Sequence, residues 1–393
     1  MSPAPLVTTP VTADLLRGAL EVEATARGVL PHRLPAAARR QNTDPGLALA
    51  ESQPSGVRLL VRTRATVVEL EAHATRRAFV GGPPPAPGVY DLLLDGTPTA
   101  RGHVSGGSTL SIDMTTGGTT LTEGEPGTVR FDGLPDRDKT VEIWLPHNEV
   151  TEVIALHTDA PVEPSPASGR PVWVHHGSSV SHGSNAASPS TTWPAVAARL
   201  GGVDLVNLGF GGGALLDPFT ARAMRNTPAD LLSVKVGINL VNLDGMRLRV
   251  FTPAVDGFLD TIREGHPTTP LLVITPLLCP IHEDTPGPAA PDPAALAEGR
   301  LRFRATGDPD EVAAGRLTLR VIRQALAEVV ARRAADDPNV HLVDGLALYG
   351  ETDHVEHPLP DALHPDAVTH QFVGERFAAT VFDDDGPFAP TRR

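Results

Sequence analysis

The sequence predicts two domains, an all-β sandwich of the jelly-roll kind followed by an α/β domain built on a parallel sheet. Three observations carry this. Apolar and polar residues alternate in short runs up to about residue 156, strands and helices alternate from about 171 onward, and a polar, proline-rich stretch separates the two rhythms. At 393 residues the chain also exceeds the usual single-domain size. We place the sandwich at 1–158, a linker at 159–170 and the α/β domain at 171–393.

In the first part, Leu20 and Val22 alternate with Glu21 and Glu23, Val57, Leu59 and Val61 with Arg58 and Arg62, and Val141, Ile143 and Leu145 with Glu142 and Trp144. This period of two, with turn residues at short intervals, predicts antiparallel strands. GGPPPAPG at 81–88 and the Gly/Thr-rich 105–128 read as loops or hairpin turns. In the second part, strands are predicted at 171–176, 203–208, 231–237, 270–276 and 339–345. Helices are predicted at 192–201, about 247–265, about 309–335 and about 366–380. Strands alternating with helices imply a parallel sheet covered on both faces, and in such sheets ligands bind beyond the carboxyl ends of the strands.

Bulk properties exclude several classes. A formal net charge of −14 argues against nucleic acid or an anionic membrane surface as partner. No apolar run approaches the ~18 residues of a membrane span. The first residues lack a basic segment followed by an apolar stretch, so a cytoplasmic location is expected. The single cysteine, Cys279, leaves no internal disulfide.

The strand ends of the second part carry the chemistry. His176-Gly177-Ser178-Ser179-Val180-Ser181-His182-Gly183 follows the first strand, and Asn207-Leu208-Gly209-Phe210-Gly211-Gly212-Gly213 the second. Gly237-Ile238-Asn239 follows the third, and Asp361-Ala362-Leu363-His364 precedes the last helix. Singly these are weak, because a serine in such a turn more often caps a helix. The glycine-rich turn lacks both the dinucleotide fingerprint and the Walker lysine. Together they supply an acyl-transfer site: Ser179 as nucleophile, His364 as its base, and Asp361 to hold the imidazole in one tautomer. The backbone N–H groups of Ser179 and Gly212 and the side-chain amide of Asn239 would form the oxyanion hole.

These blocks resemble the SGNH (GDSL-type) hydrolases. The first block of that family resembles 177–183, its second-block glycine falls on Gly212, its Gly-x-Asn block on 237–239, and its Asp-x-x-His block on Asp361 and His364. The resemblance covers roughly 171–384 and implies a flavodoxin-like three-layer α/β/α fold. One departure stands out: Ser178 occupies the place of the eponymous aspartate, and alignment to Gly183 assigns attack to Ser179. The Gly-Ser-Ser variant, with Thr192-Trp193-Pro194 and NLGF, resembles a subgroup with an N-terminal β-sandwich. Carbohydrate esterases of family 2 have a similar layout.

The resemblance and the residues together lead to a serine esterase acting on a short acyl group of a carbohydrate or small molecule, with no metal or organic cofactor. An acyltransferase using the same residues and a non-catalytic carbohydrate-binding protein are the alternatives. His182 and His282 are candidate substrate-lining residues. Asp353, His354, Glu356 and His357 read as a polar loop rather than a metal site, since no regular ligand spacing stands out. The stretch after Cys279, to about 308, reads as a long loop with little structure, of the kind that shapes substrate access. Trp193 reads as a core residue at a helix start.

Overall fold

A computed structural model describes residues 5–82, 84–113, 116–166 and 168–389. The outermost ends of the two predicted domains, one linker residue, and parts of the loops at 81–88 and 105–128 lie outside the described residues. Contacts divide the chain into two compact units. The first holds residues up to Ala36, Ala48–Arg170 and Ser188–Ser190; the second holds Ala37–Leu47, Pro171–Ala187 and Thr191 onward.

The first unit is a pair of sheets of eight and six strands. In the larger, Val68–Phe79 pairs with Glu149–Thr158 on one side and runs parallel to Ser108–Ile112 on the other, so the sheet is not wholly antiparallel as expected. In the smaller, Lys139–Trp144 lies between Arg58–Thr63 and Tyr90–Leu94. Leu59, Val61, Leu92, Val141 and Ile143 of the smaller sheet share one buried cluster with Val68, Leu70, Val153 and Leu156 of the larger, which makes the unit a sandwich. On the opposite face of Lys139–Trp144, Glu142 and Trp144 are also buried. There Arg58 approaches the Glu142 carboxylate at 3.5 Å and the Trp144 indole N–H donates to it at 3.2 Å.

Sequence and structure differ at three places here. The stretch read as a linker contains a strand, Val162–Pro164, that pairs with Arg58–Thr63; its proline sits at the strand end, where a missing N–H costs least. Residues 37–47 belong with the second unit, where the Arg222 guanidinium donates to the Gln41 side chain at 2.5 Å and Leu47 packs on Gly213. Ser188–Ser190 belongs with the first unit, where the Ser190 N–H donates to the buried Asp91 carboxylate at 3.0 Å. These allegiances rest on long-range packing, which local composition does not signal.

The second unit is built on five parallel strands: β1 (Val172–Gly177), β2 (Asp204–Gly209), β3 (Leu231–Lys235), β4 (Leu271–Ile274) and β5 (Val340–Val343). Their order, β2-β1-β3-β4-β5, is that of a flavodoxin-like sheet. Among its helices are α1 (Ser179–His182), α2 (Trp193–Leu200), α3 (Pro218–Asn226), α4 (Ile238–Asn242), α5 (Leu248–Gly265), α6 (Leu319–Arg333) and α7 (Ala367–Val381). Asp366 starts α7, its carboxylate accepting the Thr369 N–H at 2.8 Å. The helix expected at 309–335 is two pieces: a 3-10 turn, Pro309–Ala314, ends at Gly315 with φ +90°, and α6 begins afresh behind the Thr318 cap. Trp173, Trp193 and Phe377 form a buried aromatic cluster, with Trp173 stacked on Phe377 at 5.2 Å.

Candidate active site

The nucleophile turn is seated by close backbone approaches. A Cβ on Gly177 would come 2.3 Å from Ser181 Oγ, and one on Gly209 would come 2.5 Å from the Ser181 carbonyl carbon, so β1, β2 and α1 meet only because both positions are glycine. The Asn207 side-chain amide donates to Ser181 O at 2.9 Å and accepts the Gly209 N–H at 2.9 Å, tying α1 to the end of β2. His175 lies 2.8 Å from Ser181 Oγ through Nε2 and 2.8 Å from Ser233 Oγ through Nδ1, and Ser233 Oγ also accepts the Trp173 indole N–H at 2.8 Å. Burial, with smaller contributions from Lys235 and His176, holds the His175 pKa well below that of a free histidine, so this ring is neutral. A Gly209→Ala substitution should lower stability by about 2 kcal/mol and reduce activity with it, since only backbone could move aside. Calorimetry should show a Tm several degrees lower; an unchanged Tm would mean α1 is not wedged against β2.

Ser179 Oγ lies 2.9 Å from His364 Nε2, and His364 Nδ1 lies 2.7 Å from Asp361 Oδ2. The other Asp361 oxygen accepts the N–H groups of Leu363 (2.9 Å) and His364 (2.7 Å). Burial opposes ionisation of Asp361, yet the hydrogen bond and charge of His364 and these two N–H groups together outweigh it, leaving its pKa below the usual carboxylate range. An ionised Asp361 can only accept, so Nδ1 carries the proton and Nε2 offers its lone pair to the Ser179 hydroxyl. Ala362, between acid and base, has φ +66°, a left-handed conformation that turns the chain tightly enough for Asp361 to reach both its own loop and the ring. The neighbouring Ser178 hydroxyl is buried with no hydrogen-bond partner among the described residues.

Asn239, at the start of α4, accepts the Ala214 N–H at 3.1 Å through its side-chain oxygen. This fixes the amide's orientation and, among the described residues, leaves its N–H₂ without an acceptor. Gly212 has φ +77° and is exposed, and neither its N–H nor that of Ser179 donates to any acceptor among the described residues. Among the described residues these three donors therefore have no acceptor, as an oxyanion hole requires.

His182 and His282 do not line an open wall. His182 is 6% exposed and accepts the Gly211 N–H at 3.1 Å through Nδ1, holding the turn that presents Gly212. His282 is fully buried and closes its own loop by donating from Nδ1 to Thr285 O at 3.0 Å; burial lowers its pKa, so it is neutral. Each ring holds backbone of a loop, Gly211 for His182 and Thr285 for His282, a use invisible in a single sequence. The Asp353 carboxylate receives the Arg376 guanidinium at 2.7 and 2.8 Å, and Tyr349 Oη lies 2.9 Å from His354 Nδ1. Cys279 is buried, which pushes its thiol pKa up, and its S–H donates to Ala362 O at 3.5 Å. That is a support for the Asp361–His364 turn rather than a reactive thiol.

Two contacts escaped the sequence reading. The stretch after Cys279 is structured: Ala289–Pro291 pairs with Phe303–Ala305, with a short helix, Pro293–Ala297, between them. From this hairpin the Phe303 N–H donates to Asp361 O at 2.8 Å, and its ring stands edge-on to His364 with centroids 6.1 Å apart. His370 of α7, fully buried, accepts the Trp193 N–H through Nδ1 at 3.2 Å and lies 2.9 Å from Ser184 O through Nε2. Burial draws its pKa down to about 4. No local pattern announces either residue, because both act across the fold.

A five-stranded parallel sheet with a hydroxyl, an imidazole and a carboxylate in series beyond its strand ends belongs to the enzymes that cleave esters or transfer acyl groups. Residues 170–278 match the model of the GDSL-like Lipase/Acylhydrolase family. It is similar to the structure of the salicylyl-acyltransferase SsfX3 of a tetracycline biosynthetic pathway, with 29% identity over 94% of this chain and 95% of that one and a TM-score of 0.76. The fold is shared with an acetyl xylan esterase, Est2A, of the rumen bacterium Butyrivibrio proteoclasticus (13% identity, 96% and 97% covered, TM-score 0.53). It is also shared with a family two carbohydrate esterase of Cellvibrio japonicus (11% identity, 96% and 97% covered, TM-score 0.55). A comparison with curated proteins finds no match. Among the described residues no helix is long and apolar enough to cross a membrane.

Proposed function

We propose that the protein is a serine esterase that cleaves a carboxylic ester of a carbohydrate or small molecule through an acyl-serine intermediate. The observation that carries this is the series Ser179 Oγ, His364, Asp361 at 2.9 and 2.7 Å. Ser179 Oγ attacks the ester carbonyl carbon as its proton passes to His364 Nε2, and ionised Asp361 steadies the imidazolium. The N–H groups of Ser179 and Gly212 and the Asn239 amide hold the oxyanion. His364 then protonates the departing alkoxide, leaving acyl-Ser179. Water, deprotonated by the same ring, attacks the acyl carbon; Ser179 leaves as the hydroxyl and the carboxylic acid departs. A short acyl chain is favoured by the confinement of the site, with Ser179 only 8% exposed and the Phe303 ring against His364.

Acyl transfer to a hydroxyl in place of water is a second reading, favoured by the 29% identity with an acyltransferase over nearly the whole of both chains. The acyl-enzyme is common to the two. A fluorophosphonate probe should label both wild type and Ser178→Ala, and p-nitrophenyl acetate should be turned over. Release of acetate alone when alcohols are added supports the esterase; acetylated alcohol as main product moves the assignment to transfer. A folded wild type that neither takes the probe nor cleaves any ester of an acyl panel would sink both.

A further inference from the structure

A pocket beside the candidate active site has a charge at its edge that the protein leaves unanswered. Its walls include Val180, Ile238, Leu278, Leu359 and Leu363, together with Lys235 at the end of β3, and no carboxylate lines it. Val180, Ile238 and Leu363 adjoin Ser179, Asn239 and His364 in the chain. Lys235 is 4% exposed, and among the described residues its ammonium has neither a hydrogen-bond acceptor nor an ion-pair partner.

An isolated buried ammonium is costly, and a protein ordinarily pairs it, solvates it or lets it lose its proton. Burial lowers the Lys235 pKa only to about 8, so the group still carries its charge at neutral pH. The titratable groups around it do not answer that charge. Cys279 and Tyr349, which line the pocket, have their pKa values pushed up by burial and stay protonated. His175 of β1 and His370 of α7 both feel the lysine, and burial keeps both neutral. Apolar walls, one ammonium and no second donor cation suit a small, singly charged anion. A phosphate or sulfate would bring more charge than one lysine can balance.

We propose that this pocket is an anion subsite in which the Lys235 ammonium binds a small monovalent anion, a halide or a carboxylate group. The carboxylate has two sources, a free ion or the far end of a substrate's acyl chain, and the chemistry at Lys235 is the same for either.

The test uses the whole protein with sodium bromide and sodium acetate as probes, at pH 6.5 and constant ionic strength, against Lys235→Met. Saturable binding should raise the wild-type Tm by about 2 °C or more and leave Lys235→Met unmoved. The shift should fade as pH rises through about 8, where the ammonium loses its proton. Bromide soaked into wild-type crystals should give anomalous density within hydrogen-bonding distance of Lys235 Nζ, a readout that needs no variant. If bromide saturates without changing KM for p-nitrophenyl acetate or for a succinyl ester, the site takes a free anion. If bromide competes with the succinyl ester alone, and Lys235→Met loses about tenfold in kcat/KM on that ester, the anion belongs to the substrate. Equal shifts in wild type and Lys235→Met, or bromide density absent from Lys235, would overturn the subsite. Esterase failure is separate: probe labelling and acetate release do not depend on the anion.

Discussion

Ser179→Ala should reduce kcat for ester cleavage by roughly 10⁴- to 10⁶-fold and abolish labelling by a fluorophosphonate, with KM little changed. In the proposed mechanism the Ser179 hydroxyl oxygen forms the acyl bond, and the adjacent Ser178 is not placed to replace it. Ser179 Oγ faces His364 Nε2 at 2.9 Å, whereas the Ser178 hydroxyl is buried with no partner among the described residues. Residual rate in Ser179→Ala would come from the oxyanion donors acting on bound substrate and attacking water. A variant that kept a tenth of wild-type kcat would remove Ser179 from the reaction. Loss of labelling in Ser178→Ala instead would move the nucleophile by one residue and leave the reaction class unchanged.

Asp361→Asn should cost about 10⁴-fold in kcat, measured with the same ester, while circular dichroism and KM stay close to wild type. The carboxylate accepts three N–H groups, from Leu363, His364 and the His364 ring. An asparagine can accept two through its oxygen, and its NH₂ then faces Nδ1 as a donor. The ring would turn over to the tautomer with its proton on Nε2, and the lone pair needed by Ser179 would be gone. The same substitution should change acid sensitivity. Asp361 has a depressed folded pKa, so its contribution to stability is present above the unfolded value of ~3.9 and is lost as pH falls through the lower folded value. Asp361→Asn should flatten that acid limb of the stability profile. A loss of less than tenfold in kcat would mean that the imidazole is oriented by other groups, Phe303 being the neighbour to examine next.

The sequence by itself carried the order of the parts. Alternation of period two marked a sandwich, and strand alternating with helix marked a parallel sheet, because burial of one face imposes those periods directly on the chain. The four blocks beyond the strand ends stand out in the sequence because the acyl-transfer site we propose needs specific residue types at short, fixed separations: a serine between glycines, an Asp three residues before a His, an Asn behind a Gly. The structure brings Ser179, His364 and Asp361 into series and leaves the Asn239 amide and the Gly212 N–H unspent.

What only the tertiary structure decided are the allegiances made across long separations. Residues 37–47 joined the second unit through Leu47 and Gln41, and Val162–Pro164 became a strand by pairing with Arg58–Thr63, although both stretches are locally polar. Phe303 met His364 from a hairpin that reads as loop, and His182 and His282 went beneath the surface to hold backbone. Lys235 ended a buried strand beside a pocket with no counter-charge, where its place in the sequence suggests only an ordinary strand end. The reason is common to all of these. Local patterns record which face of an element is buried, but not which distant group fills the space opposite or which hydrogen bond it will find there.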